Sequence, residues 1–341
     1  MGKIIVHANN IHNGGGLTLF KSLVEVLPKN SILIVDERLP ITDSELLYFQ
    51  VYRVKPSLKH RFLAERLLRR LAEVEDRVLC FGNLPPLFLL KAKVVLFIQN
   101  RYLVEPDFLS LLPIKLRLKL TVERFLLRCF GRNVNQVLVQ TPSMKALACK
   151  YVSASITVAG FAANKNVFLD LESIDRQNIE YDFIYVASGE AHKNHKNLVL
   201  AWIELAKQGV YPSLCLTVSQ RAFPLVAELI RREVQYHNLK IDNLGLVMGD
   251  DIVSLYEKST ALIYPSILES FGLPLIEAKN AGLKIVSSEL DYVRDILDPD
   301  ESFDPQSPIS IARAVKRFLR LDADEFVLMT AEGFLDLVVS D

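Results

Sequence analysis

The stretch YPSILESFGLPLIEAKNAG, residues 264–282, reads as the end of a strand, a loop and a helix. Pro265 closes the apolar run ALIYP. Pro274 suits the first helical position, where a missing N–H costs nothing, and Gly282 suits a left-handed cap. The helix is therefore expected over about 274–281, with Glu277 in its first turn and Glu269 in the loop beside Phe271 and Gly272. A strand that runs into a helix in this way belongs to an open α/β sheet. Such sheets bind ligands at the carboxyl ends of their strands, where unpaired N–H groups also collect. A carboxylate placed there accepts hydroxyl hydrogen bonds from a ribose or hexose, and the helix start favours a diphosphate. Taken alone, Glu277 is read as an acid that stabilises the helix start and Glu269 as a solvated loop acid.

Working outward, short β-branched runs recur at KIIVHA (3–8), SILIVD (31–36), DRVLCF (76–81), KVVLFI (93–98) and NQVLVQ (135–140). A second series follows at DFIYVAS (182–188), SLCLTVS (213–219), LGLVMG (244–249), ALIYPS (261–266) and LKIVSS (283–288). Runs of this kind are buried parallel strands, and helix-length segments such as LTLFKSLVEVLP (17–28) lie between them. The polar stretch 164–182 interrupts the rhythm and is read as a linker. The expectation is two doubly wound domains across a cleft, which 341 residues can fill. Half of the residues are hydrophobic, and 40 basic residues balance 40 acidic ones, so a nucleic-acid-sized positive field is not expected. The four cysteines form no C-x-x-C pair, which suits a reducing compartment. The start MGKIIVHANN has no signal-peptide layout, no segment reads as membrane-spanning, and a cytoplasmic location is expected.

Gly14, Gly15 and Gly16 follow the first strand and are expected to precede the first helix, where bare backbone can approach a phosphate or sugar. A tight turn is the plain alternative. A dinucleotide fingerprint would use Gly14 and Gly16 with Asp36 as the ribose acid, but Leu19 stands where its third glycine belongs.

The two glutamates with FGLP between them and EAKNAG after them resemble the donor-site motif of retaining glycosyltransferases of the GT-B fold, family four (group 1 type). The glycine segment IIVHANNIHNGGG, the stretch YVASGEAHKNHKNLVLAW (185–202) and the approach MGDDIVSLYEKSTALIYPS extend the resemblance along the chain. It implies α/β architecture with two Rossmann-like parallel-sheet domains: 1–172 on the acceptor side, 173–322 for the nucleotide sugar, and a C-terminal helix over 323–341 that crosses back. It also implies that Glu277 holds the nucleotide ribose and Glu269 the donor sugar, with the N–H groups of Phe271, Gly272 and Leu273 on sugar and phosphate. Lys193 matches the lysine that meets the diphosphate. An arginine commonly precedes that lysine by five residues, and this chain has Ser188 there; either Lys196 or His192 substitutes, or the leaving group is less stabilised. Where many relatives carry a histidine near the donor sugar, this chain has Gln99, which hydrogen-bonds but cannot act as a base. His12, near the glycine loop, is read as a polar cleft residue.

The expected activity is retaining transfer of a hexose-type sugar from a nucleotide diphosphate sugar to a saccharide or lipid-linked saccharide acceptor, in surface polysaccharide assembly. A non-catalytic sugar-nucleotide binder, or an epimerase or phosphorylase of the same fold, stays open. No cofactor or metal is expected, because Asp250 and Asp251 are adjacent rather than alternate. The segments 59–71 and 111–133 are apolar and basic at once. With Arg117, Arg124 and Arg128 on one stripe, the second segment is read either as a helix on an anionic membrane surface or as one packed on its own sheet.

Overall fold

The computed structural model describes residues 2–42, 45–161, 179–247 and 249–321. The first domain runs β1 (Ile4–Ala8), α1 (Gly14–Val26), β2 (Ile32–Asp36), β3 (Gln50–Val54), α2 (Leu58–Leu71), β4 (Arg77–Cys80), β5 (Lys93–Ile98), α3 (Ile114–Phe130), β6 (Gln136–Val139), α4 (Pro142–Ala148) and β7 (Ser155–Val158). Its seven strands form one parallel sheet in the order β3-β2-β1-β4-β5-β6-β7. Alternation of side chains along β1 divides its core. Ile5 joins Ala64, Leu68, Leu120 and Leu127 under α2 and α3, whereas Val6 and Ala8 join Leu19 and Phe20 of α1.

The second domain runs β8 (Tyr181–Tyr185), α5 (His195–Lys207), β9 (Leu214–Leu216), α6 (Pro224–His237), β10 (Ile241–Asn243), α7 (Asp250–Glu257), β11 (Ser259–Tyr264), α8 (Leu273–Asn280), β12 (Lys284–Ser288), α9 (Asp291–Arg294), β13 (Glu301–Phe303) and α10 (Pro308–Phe318). Its parallel sheet has the order β10-β9-β8-β11-β12-β13 around a single core. Two doubly wound parallel-sheet domains are thus present, as expected. The C-terminal segment 323–341, the boundary at 172/173 and most of the linker lie outside the described residues, and by Tyr181 the chain is already in β8.

Several local expectations differ. α1 begins at Gly14 rather than residue 17, so Gly14, Gly15 and Gly16 are its first turn and not a loop before it. Gly14 has φ of +63°, a conformation glycine takes without strain. Residues 244–247, expected within a strand over 244–249, form none; β10 pairs earlier, Ile241 opposite Leu214, with Ile241 buried while Leu244 and Leu246 are exposed. The arginine stripe of α3 is also corrected. Arg124 turns inward and donates to the carbonyls of Tyr102 and Leu103, at 3.1 and 3.0 Å, and Arg128 lies over the Tyr151 ring. Leu120, Arg124 and Leu127 form the inner stripe, whereas Ile114, Leu118, Val122 and Phe125 form an exposed apolar one. Among the described residues, no helix is long and apolar enough to cross a membrane.

Candidate functional site

The loop after β11 is held by its own domain. The Tyr292 hydroxyl donates to the Ser266 carbonyl at 2.8 Å, and Ser288 Oγ donates to the same oxygen at 2.9 Å. Asn194, in the left-handed conformation at the start of α5, donates through its amide to the carbonyls of Pro265 (3.0 Å) and Pro305 (2.7 Å). The N–H of Ile267 donates to the His192 carbonyl at 2.8 Å. The loop before α5 and the loop after β11 are therefore one rigid unit, and Lys193 and Glu269 project from it.

Lys193 Nζ lies 2.6 Å from Glu269 Oε1, and the Tyr264 hydroxyl donates to that oxygen at 3.0 Å. Burial alone would raise the Glu269 carboxyl; Lys193 foremost, together with the neighbouring His192 and Ser266, outweighs it and holds the group below its ordinary value. Buried Tyr185, Tyr264 and Tyr292 line the low-dielectric floor of the pair, and each is kept neutral by burial next to Glu269. Glu277 has the opposite environment: burial raises it, and its one described partner is the Tyr256 hydroxyl at 3.3 Å. The signs for stability are opposite too. Stability from Glu269 is present above its unfolded pKa and is lost as pH falls through its depressed folded value, whereas protonation of Glu277 relieves a cost as pH falls through its raised one.

α8 starts at Leu273, with Pro274 second, so Glu277 is the fifth helical residue and lies in the second turn, not the first. Gly272 precedes the helix at φ of +70°, and a Cβ there would approach Leu275 Cδ1 to 2.9 Å. The N–H groups of Phe271, Gly272 and Leu273 come before the first intrahelical bond and have no acceptor among the described residues.

The first domain meets this helix start directly. A Cβ on Gly15 would lie 3.4 Å from Leu273 Cδ1, and one on Gly16 would lie 3.6 Å from Gln99 Oε1. The Gln99 amide donates to the Phe81 carbonyl at 2.8 Å, which aims its oxygen at the glycine turn. Gly160, at the end of the first domain, sits against the Phe271 ring. Of the residues singled out in the sequence, Lys193 with Glu269, Gly15 with Leu273 and Gly16 with Gln99 are brought together. Ser188 is not joined to them: its hydroxyl is bonded to the Glu190 carboxylate. Lys196 is exposed on α5. His192, pushed down to about 4 by burial and by Lys193, is neutral at physiological pH, so its ring adds no positive charge in place of an arginine. Asp36 is engaged by Arg38 through two hydrogen bonds to its guanidinium, at 2.9 and 2.7 Å, with His12 at 3.9 Å.

Arg101 is the residue that sequence reasoning passed over, although it follows Gln99 and Asn100 at a strand end. It is buried between the domains. Its guanidinium donates to both Asp291 carboxylate oxygens, at 2.9 and 2.8 Å, and to the Glu269 carbonyl at 3.3 Å, while Glu105 of its own domain accepts from Nε. Its N–H donates to Ser270 Oγ at 2.8 Å. A second bridge runs from the Ser143 N–H to Asp295 at 2.9 Å. Arg101→Leu leaves the largely buried Glu105 and the Glu269 carbonyl without their donor and removes the bridge to the half-exposed Asp291, and is expected to cost about 2 kcal/mol in denaturant unfolding and to loosen the domains. A larger radius of gyration by small-angle scattering checks it; an unchanged profile with unchanged stability contradicts the bridge.

Residues 170–327 match the family described as Glycosyl transferases group 1. The serotype-specific mannosyltransferase WbdA of Escherichia coli is 31% identical over 141 residues, which is 41% of this chain and 17% of that protein. The O-antigen chain mannosyltransferase RfbU of Salmonella typhimurium is 24% identical over 212 residues, 57% of each chain. The chain thus spans 17% of the length of WbdA and just over half that of RfbU. Among solved structures, Anabaena Alr3699/HepE in complex with UDP and glucose superimposes with a TM-score of 0.63 at 12% identity, covering 94% of this chain and 90% of that one. With the two parallel sheets, the loop after β11 and the facing glycine turn already in place, residues 170–327 of this chain match the group 1 glycosyltransferases, and the chain has the GT-B fold.

Proposed function

We propose that the protein is a retaining glycosyltransferase that moves a sugar from a nucleoside diphosphate to a saccharide or lipid-linked saccharide acceptor, in the assembly of a surface polysaccharide such as an O-antigen, lipopolysaccharide or capsule. The observation that carries this reading is the Lys193–Glu269 pair beneath the open start of α8, facing the glycine turn of α1. The names of WbdA and RfbU favour mannose as the sugar. HepE, solved with UDP, shares the fold alone, so the base is left to experiment.

In this proposal Glu277 accepts hydrogen bonds from the ribose hydroxyls and Glu269 from a hydroxyl of the donor sugar. The diphosphate lies over the N–H groups of Phe271, Gly272 and Leu273 and draws on Lys193, whose charge stabilises the departing diphosphate. The bond from the sugar's anomeric carbon to the phosphate oxygen breaks while the acceptor oxygen bonds that carbon on the same face. The acceptor's proton passes to the departing phosphate oxygen, so no side-chain base is needed, and Gln99 serves as a hydrogen-bonding amide. Lys193 and the helix start take the place of a metal, and the reaction is expected to run in the presence of EDTA.

Glu277→Gln is expected to weaken nucleoside diphosphate binding by calorimetry about tenfold, since the carboxylate accepts charge-assisted bonds. Because Glu277 has a raised pKa, wild-type affinity falls on acidification from above the usual carboxylate range, and this dependence is absent in Glu277→Gln. Equal affinity and equal pH dependence in the two proteins would remove the ribose assignment. An NMR spectrum of the first product with inverted anomeric configuration would remove retention.

We also infer that α2 and α3 rest on an anionic membrane. The outward stripe Ile114, Leu118, Val122 and Phe125 is flanked by Lys115, Arg117 and Lys119, and Leu58 and Phe62 of α2 are exposed as well. Sedimentation with vesicles containing phosphatidylglycerol, little sedimentation with neutral vesicles, and loss of both in Leu118→Glu/Phe125→Glu is the expected result. Equal sedimentation of variant and wild type contradicts it.

A further inference from the structure

A cavity of about 370 Å³ opens at the carboxyl ends of β1 to β4, between them and α2 and α3. It is apart from the Lys193–Glu269 site and shares no residue with it. At its floor is His7, on the β1 face that meets α2, with Nε2 buried, unpartnered and 3.8 Å from Glu65 Oε1, which is itself buried and unpartnered. Burial and the neighbouring Arg61 push His7 down to about 3, so its ring is neutral, and burial raises Glu65.

The cationic side of the cavity is less satisfied than the anionic side. Arg61 lines it, has a buried and unpartnered Nε, and forms no side-chain hydrogen bond or ion pair among the described residues. Its acidic neighbours are Glu65 and Glu123, and neither forms a hydrogen bond or ion pair with it among the described residues. Asp36 is already neutralised by Arg38. Lys55 stands exposed at the rim, and Lys119 is 3.8 Å from Glu123. An arginine left without a carboxylate, next to two lysines and above unpartnered polar groups, fits a ligand with a doubly charged anion at one end and hydroxyls at the other.

We propose that this cavity binds the phosphorylated end of a sugar, and so selects an acceptor that carries phosphate. Its place as an acceptor site rests on the transferase reading above; binding of the phosphate itself does not. Arg61 and Lys55 hold the phosphate, and the sugar hydroxyls turn toward His7. The same chemistry is offered by a free sugar phosphate or by the head of a lipid-linked one. Leu58, on the rim and 88% exposed, continues the cavity onto the apolar surface of α2.

The test is calorimetry with mannose 1-phosphate, farnesyl diphosphate and plain mannose, on protein first saturated with whichever nucleoside diphosphate it binds, so that the other site is filled. The two phosphates are expected to bind and mannose not. Lys55→Gln and Arg61→Gln should each weaken the phosphates about tenfold, as loss of a charge-assisted contact does, with nucleotide affinity unchanged. Tighter binding of the farnesyl compound identifies a lipid-borne head, and tighter binding of mannose 1-phosphate a free sugar phosphate; both support the site. Lys55→Gln, at an exposed position, keeps the test valid if Arg61→Gln does not fold. The proposal is overturned if neither phosphate binds while the nucleotide does, or if both variants bind the phosphates as wild type does. Failure of the nucleotide alone counts against the transferase reading and leaves this site standing.

Discussion

The ion pair between Lys193 and Glu269 sets the terms for everything around it. Two charges at 2.6 Å, both largely removed from water, are tolerable only where further hydrogen bonds satisfy them. Tyr264 supplies one to the carboxylate, and the carbonyl of Lys193 itself is bonded by the Tyr185 hydroxyl at 2.9 Å. The surrounding loops then have little freedom, because Asn194, Ser288 and Tyr292 tie their carbonyls together.

That constraint passes to the first domain through Arg101. Its bidentate pairing with Asp291 and its bond to the Glu269 carbonyl join the sheet end of one domain to the loop of the other. One close approach then needs a glycine: a Cβ on Gly160 would come within 2.5 Å of the Gln140 carbonyl and 2.9 Å of the Phe271 ring. At Gly15, where α1 meets Leu273, the approach is an ordinary contact.

Legibility in the sequence followed burial. The central strands β1, β2, β4, β5, β6, β8, β11 and β12 are covered on both faces and read as apolar runs. The edge strands β3, β7 and β13 carry half-exposed patterns such as Gln50–Val54 and were not distinguishable from loops, and β10 was placed too far along by the apolar but exposed Leu244 and Leu246. In the site, the spacing of Glu269 and Glu277 about Pro274 pointed to a strand-loop-helix unit, but the helix start was one residue early and Glu277 sits a turn deeper. Arg101 and Arg61 were not readable, since a single arginine at a strand end or on an amphipathic helix carries no local pattern, and their meaning comes from partners 190 residues away or from partners they lack.

The central claim is that Lys193 and the start of α8 bind a nucleoside diphosphate sugar without a metal. Its most direct test is a thermal-shift titration of the protein with UDP, GDP, ADP, CMP and their sugar conjugates, in EDTA and then in magnesium, because a ligand that binds only the folded state raises the melting temperature. The account predicts a shift with one diphosphate family that is the same in EDTA as in magnesium. A shift that requires magnesium, or none with any of the nucleotides, would contradict it.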